Sequence, residues 1–107
     1  MSLRDNVAFA LRRALGRPGW CEHVEGLAPP EPESSDECPE CVRAGDSWRA
    51  LRACLICGHV GCCDSSRNKH ARRHAEATGH PVIRSIQPGE SWIWCFPHRR
   101  VVKPRSE

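Results

Sequence analysis

The sequence has no tyrosine and only two phenylalanines, and aromatic residues make up 6% of its 107 positions. A chain of this length holds one domain and a short appendage. With so few large apolar side chains it cannot build a large core. Chains of this kind usually draw stability from disulfides or metal ions. Long hydrophobic runs are missing too. Nothing approaches the roughly 20 apolar residues of a membrane span, so no membrane role is expected. The opening stretch MSLRDNVAFALRRALGR breaks its apolar residues with charges, so no secretory leader is expected. A disulfide framework, which belongs to oxidising compartments, is therefore set aside, and a cytoplasmic location is expected.

Strong net charge is also lacking, at +3, but what charge there is lies unevenly. Residues 29–40, PPEPESSDECPE, carry five acids and no base, whereas residues 97–105, PHRRVVKPR, carry four bases and no acid. The first stretch reads as an exposed loop. The second reads as a solvated basic tail, with contact to phosphate or an acidic partner as the sharper alternative.

What the sequence has in excess is cysteine and histidine, eight and six respectively. Cys21 and His23 stand two apart, and on an extended chain their side chains point the same way. Cys38-x-x-Cys41 and Cys54-x-x-Cys57 are turns that present two thiolates to one ion, with Pro39 presetting the first and Gly58 following the second. Cys95-x-x-His98 repeats the spacing. Such pairs are moderate signals singly and strong ones together. His70 and His74 lie four apart on an expected helix and share its face. The sequence between them is Ala71-Arg72-Arg73, without the glutamate that a zinc protease uses as general base, so protease chemistry is excluded. Setting aside His59 and one of the adjacent Cys62 and Cys63 leaves twelve donors, enough for three closed tetrahedral sites. Closed sites are structural, so the chain is not expected to be an enzyme. Spacing alone leaves about 15 ways to join six half-sites.

Local signals organise the rest. Residues 2–15 read as an amphipathic helix, with Ser2 and Asp5 as a capping box and an apolar stripe of Leu3, Val7, Leu11 and Leu15. Residues 50–54 read as a strand. A helix is expected over residues 67–78, capped by Ser65 or Ser66 and stopped by Gly79. Residues 82–86 and 92–96 read as a hairpin closed by a type II turn at Gln87-Pro88-Gly89-Glu90.

The ordered run Cys21-x-His23, Cys38-x-x-Cys41, Cys54-x-x-Cys57-Gly58-x-Val60-x-Cys62, Asn68-x-His70-x-x-x-His74, Gly79-His80-Pro81 and Trp94-Cys95-x-x-His98 resembles the UBP-type zinc finger. Gly61-Cys62-Cys63-Asp64-Ser65-Ser66 resembles its small bacterial-type branch. The resemblance implies a small α+β domain with a short antiparallel sheet, a central helix and three interleaved zinc sites. One zinc would take Cys21, His23, Cys95 and His98; a second Cys38, Cys41, Cys62 and His70; a third Cys54, Cys57, His74 and His80. The implied division is a helical extension over 1–18, the finger over 19–98 and a basic tail over 99–107. The resemblance also implies a cleft for the free C-terminal Gly-Gly of ubiquitin, walled by aromatics and holding an arginine. Here Asp64 and Ser65 stand where the family has arginine and tyrosine, and Arg52 stands where it has tryptophan. Trp94 matches, and Phe96 replaces a tyrosine. Arg52, Asp64, Ser65, Trp92, Trp94 and Phe96 are the candidate cleft residues, with Trp48 and Trp92 weighed between lining and packing. Because an aspartate repels a carboxylate, ordinary ubiquitin binding is not expected, and the partner is read as a different protein or peptide C-terminus. Two weaker alternatives are nucleic-acid binding through Arg99, Arg100, Lys103 and Arg105, and a thiol-based redox or zinc sensor at Cys63.

Overall fold

A computed structural model of the chain describes residues 21–103. The helix read over residues 2–15, and with it the 1–18 extension, falls outside these residues. The described part is an α+β domain built on one antiparallel sheet of five strands in the order β2-β1-β3-β4-β5. These are β1 (Leu51–Cys54), β2 (Val60–Cys62), β3 (Val82–Ser85), β4 (Ile93–Cys95) and β5 (Arg100–Val102). Helix α1 (Pro39–Ala44) precedes the sheet, and helix α2 (His70–Thr78) lies between β2 and β3.

The strands are three or four residues long, and β1, β2 and β4 each end on a cysteine, Cys54, Cys62 and Cys95. β1 ends at Cys54, from which a tight turn leads into β2, and the two strands pair Leu51 with Cys62 and Ala53 with Val60. Gly58 sits in that turn with φ 83°, and a Cβ there would come within 2.6 Å of Glu31 O. The turn is therefore tied against the acidic loop, where Glu33 N donates to Gly58 O at 2.8 Å. β3 and β4 form the expected hairpin, closed by Glu90 N donating to Gln87 O at 3.0 Å.

Four local expectations need correction. Cys21 and His23 do not lie on an extended segment, because Glu22–Val24 forms a 3-10 turn and His23 N donates to Cys21 Sγ at 3.3 Å. Cys38-x-x-Cys41 is the start of a helix rather than an isolated turn. Pro39 opens α1, where its missing N–H costs nothing. Helix α2 starts at His70, later than expected, with Lys69 in the left-handed region and no side-chain cap. Ser66 is spent elsewhere: its hydroxyl is buried and accepts from Arg49 N at 2.8 Å. Finally, the basic stretch after His98 is not all tail. Arg100–Val102 adds an edge strand to β4, and Val102 is 2% exposed. The alternation of an exposed Val101 with a buried Val102 anchors it.

The apolar core is as thin as the composition implies. One cluster joins Val24, Leu55, Val82, Ile93 and Val102 to Cys21 and Cys95. A second joins Leu51, Ala53 and Val60 to Cys38, Cys41 and Cys62, with Trp48 and Ile86 packed against it. Cysteines thus stand inside both clusters, so metal sites and core are one structure.

Candidate metal centres and adjoining cleft

The structure gathers twelve cysteine and histidine side chains into three groups. These are Cys21, His23, Cys95 and His98; Cys38, Cys41, Cys62 and His70; and Cys54, Cys57, His74 and His80. Within each group the donor atoms all lie within 4.8 Å of one another. Four N and S donors held tetrahedrally by one zinc stand about 3.3–3.8 Å apart. In the first group the two sulfurs are 3.5 Å apart, and His98 Nδ1 is 3.2 Å from Cys21 Sγ. In the second, His70 Nδ1 lies 3.4, 3.4 and 3.5 Å from the Sγ atoms of Cys38, Cys41 and Cys62. In the third, Cys57 Sγ is 3.3 Å from His74 Nε2, and Cys54 Sγ is 3.5 Å from His80 Nδ1. The donor sets fit zinc in both chemistry and spacing.

The electrostatics point the same way. Burial, followed by neighbouring thiols, pushes Cys38 up to about 12 and Cys95 up to about 11. Cys54 is raised by the same causes. Buried thiols crowded together cannot ionise unless a cation joins them. Amide donors are already aimed at the sulfurs. His70 N donates to Cys62 Sγ at 3.2 Å, and Ile56 N donates to Cys54 Sγ at 3.4 Å. Asn68 Nδ2 donates to Cys41 Sγ at 3.6 Å while also holding Asp46 Oδ2 at 3.0 Å. Such outer bonds orient thiolate ligands and spread their charge.

Helix α2 ties two groups together. His70 and His74 lie four apart on α2, yet they serve different groups: His70 Nδ1 sits beside Cys62 Sγ, whereas His74 Nε2 sits beside Cys57 Sγ. Gly61 on β2 lets the helix approach, since a Cβ there would meet Ala71 N at 2.6 Å. His59, set aside as a ligand, supports the third group from outside. Its ring stacks on His74 with centroids 4.0 Å apart, and its Nε2 lies 2.8 Å from Glu40 Oε1. Burial, then the neighbouring His59 and His80, holds His74 below its ordinary value. The neutral imidazole this favours is the form that binds metal.

Beside the metal groups, on the sheet face away from the core, is a cleft of about 210 Å³. It brings together Arg52, Asp64, Ser65, Trp92, Trp94 and Phe96, with Cys63, Ala71 and Ile83 as its floor and wall. Trp94 on β4, between buried Ile93 and Cys95, faces away from the core, and half-buried Phe96 follows in the turn after the strand. Arg52 lies over the Trp92 ring at 4.4 Å. Its Nη1 donates to Leu51 O at 3.0 Å and Ser85 Oγ at 3.2 Å, with Glu90 at 3.8 Å. Trp92 is thus a cleft residue, whereas Trp48 is packing. Asp64 does not cap α2. Its carboxylate takes a two-pronged contact from Arg72, with Nε 2.9 and 3.1 Å from its two oxygens. That hydrogen-bonded contact raises Arg72 further, and the guanidinium lies 5.3 Å from the Phe96 ring centre.

Arg72 and the His59–Glu40 pair were missed in the sequence. Helical spacing could have found Arg72, because a residue two after His70 points to the opposite flank. Cys63 is buried, with its Sγ 3.5 Å from Ser66 Oγ. Burial opposes its ionisation, but Ser66, the Ser65 and Ser66 amides and Arg52 together bring it below the ordinary thiol value. Among the described residues no helix is long and apolar enough to cross a membrane.

Residues 38–107 match the family described as the Zn-finger in ubiquitin-hydrolases and other protein. The chain is similar to BRCA1-associated protein from Mus musculus and from Homo sapiens, at 33% identity over 75 residues, covering 67% of this chain and 12% of each relative. It is 32% identical over 91 residues to Ubiquitin carboxyl-terminal hydrolase 14 from Schizosaccharomyces pombe, covering 71% of this chain and 11% of that one. The chain therefore spans a small part of these relatives. Protein RPA1320 from Rhodopseudomonas palustris, known from a solution NMR structure, superposes with a TM-score of 0.70 at 46% identity. The match covers 78% of this chain and 80% of that one.

Proposed function

For a chain that belongs to the zinc-finger family of ubiquitin hydrolases and related proteins, we propose a recognition role without catalysis. Three structural zinc ions, one per group, hold a scaffold whose cleft takes the free C-terminus of a protein or peptide. Each group offers four protein donors, which fill a tetrahedral zinc and leave no position for a reacting water.

One observation carries the cleft reading: the Asp64 carboxylate is neutralised by Arg72, and Arg52 lies inside the cleft over Trp92. From the sequence, Asp64 argued against a carboxylate ligand. With Arg72 bonded to it, that repulsion is removed. Arg52 keeps donors beyond Nη1 for charge-assisted bonds to an incoming carboxylate. Trp92, Trp94 and Phe96 give flat walls suited to a chain end without bulky side chains.

The test is calorimetric titration of the zinc-loaded protein with a Gly-Gly-ending peptide, its amidated twin and ubiquitin. Binding to the free acid, lost on amidation and in Arg52→Ala at unchanged zinc content, is the expected result. Equal behaviour of acid and amide would overturn the reading.

A further inference from the structure

Next to the narrow cleft lies a broader groove of about 770 Å³. It runs between the C-terminal half of α2 and the segment after β4, and Trp94 and Phe96 belong to both cavities. The Arg72–Asp64 pair, with Arg72 near Phe96, marks the divide. A chain whose last residues fill the narrow cleft has this groove as its continuation, because the two share an aromatic wall.

The charges of the groove are unequal. Arg72 is taken by Asp64 and also feels Glu76 one turn along α2. Arg99, at the far side, is exposed, and among the described residues no carboxylate lies within ion-pair distance of its guanidinium. Its backbone is also held in an uncommon state. Arg99 has φ 55°, a region that side-chain-bearing residues seldom enter. Its N–H is pinned to Cys95 O at 2.8 Å and Phe96 O at 3.2 Å. The turn between Cys95 and His98 therefore fixes the backbone from which this side chain extends.

We propose that the groove is a second subsite, in which Arg99 reads an acidic side chain upstream of the bound C-terminus. This rests on the recognition role proposed above, and it adds a preference that the narrow cleft cannot supply. Arg99 acts here as a specificity residue, and the groove's occupant is the segment of the same partner peptide that precedes its free end.

The test uses the full zinc-loaded chain and free-acid peptides ending in Gly-Gly, with Glu, Gln or Lys placed at successive upstream positions. One position should favour Glu over Lys by about two- to fivefold, the range of an exposed ion pair. That preference should shrink in high salt and vanish in Arg99→Gly, which deletes the cation and suits the positive φ. The glycine-ended peptide lacking any upstream charge should bind wild type and Arg99→Gly equally. Amidation-sensitive binding with no charge preference, or a preference that survives Arg99→Gly, overturns the subsite and leaves the recognition role standing. Loss of all binding to free-acid peptides in the wild type would instead strike the recognition role itself.

Discussion

Replacing Gly61 with alanine perturbs this fold at a point where two metal groups depend on one helix. Gly61 pairs with Arg52 across β1 and β2, and its α-carbon faces the first turn of α2. An added methyl would stand 2.6 Å from Ala71 N, 2.8 Å from His70 C and 2.9 Å from Ala71 Cα. Ordinary contact begins at 3.4 Å, so the start of the helix must retreat by about 0.8 Å. All three obstacles are main-chain or α-carbon atoms, so no side chain can swing aside. Overpacking of this kind costs about 1–3 kcal/mol by itself. The larger cost is to metal binding, because ligand distances tolerate only about 0.2 Å. His70 and His74 ride on α2 and serve the second and third groups, whereas the first group has no ligand on that helix. Native mass spectrometry should therefore find three zincs in the wild type and fewer in Gly61→Ala, with the first site retained. Gly45→Ala is the control. Unlike Gly61 it has a positive φ, but no atom lies within 4 Å of the added Cβ, so it should cost about 1 kcal/mol from backbone strain and keep its metal. Full zinc content and an unchanged Tm in Gly61→Ala would refute the reasoning.

Three further outcomes follow from the same structure. Zinc uptake must expel the thiol protons, which burial holds on Cys38 and Cys95 well above neutral pH. Affinity in a chelator competition should therefore fall as pH falls, by up to about three log units per pH unit at the three-cysteine group and about two at the others; equal slopes would contradict the ligand sets. Asp64→Asn releases Arg72 toward the cleft and should tighten a free-acid peptide by roughly threefold in calorimetry without changing zinc content, while weaker binding would show that the ion pair itself shapes the cleft. Val102→Ala should lower thermal stability by about 2 kcal/mol, since Val102 is 2% exposed, whereas Val101→Ala at 52% exposure should be nearly silent. Equal small effects would remove β5 from the core.

The metal groups were legible because ligand chemistry leaves fixed spacings, and because a family pattern supplied the pairing that spacing left open. The hairpin and the Gly79 stop were legible for a related reason: turns and helix ends are local. What escaped reading depends on partners far away in sequence. Nothing near Ser66 announces that its hydroxyl will serve Arg49 N, and so the start of α2 was misplaced. The stretch Arg99-Arg100-Val101-Val102 looks like a soluble tail until β4 offers it an edge and Val102 a buried seat. Asp64 looked repulsive because Arg72 reaches it only after the chain has turned through Ser65–Lys69 into a helix. A charge cannot be weighed from sequence when its counterion arrives by folding.

The first metal group joins Cys21 and His23 to Cys95 and His98, and this gives the domain an unusual response to a broken backbone. A nick anywhere between His23 and Cys95, including the exposed acidic loop, leaves ligands of one shared ion on both fragments. Once zinc is bound, cleavage there need not part the pieces. They stay stapled through the ion until a chelator or acid opens it. Damage would then be invisible to size under native conditions and would appear only when the metal is withdrawn.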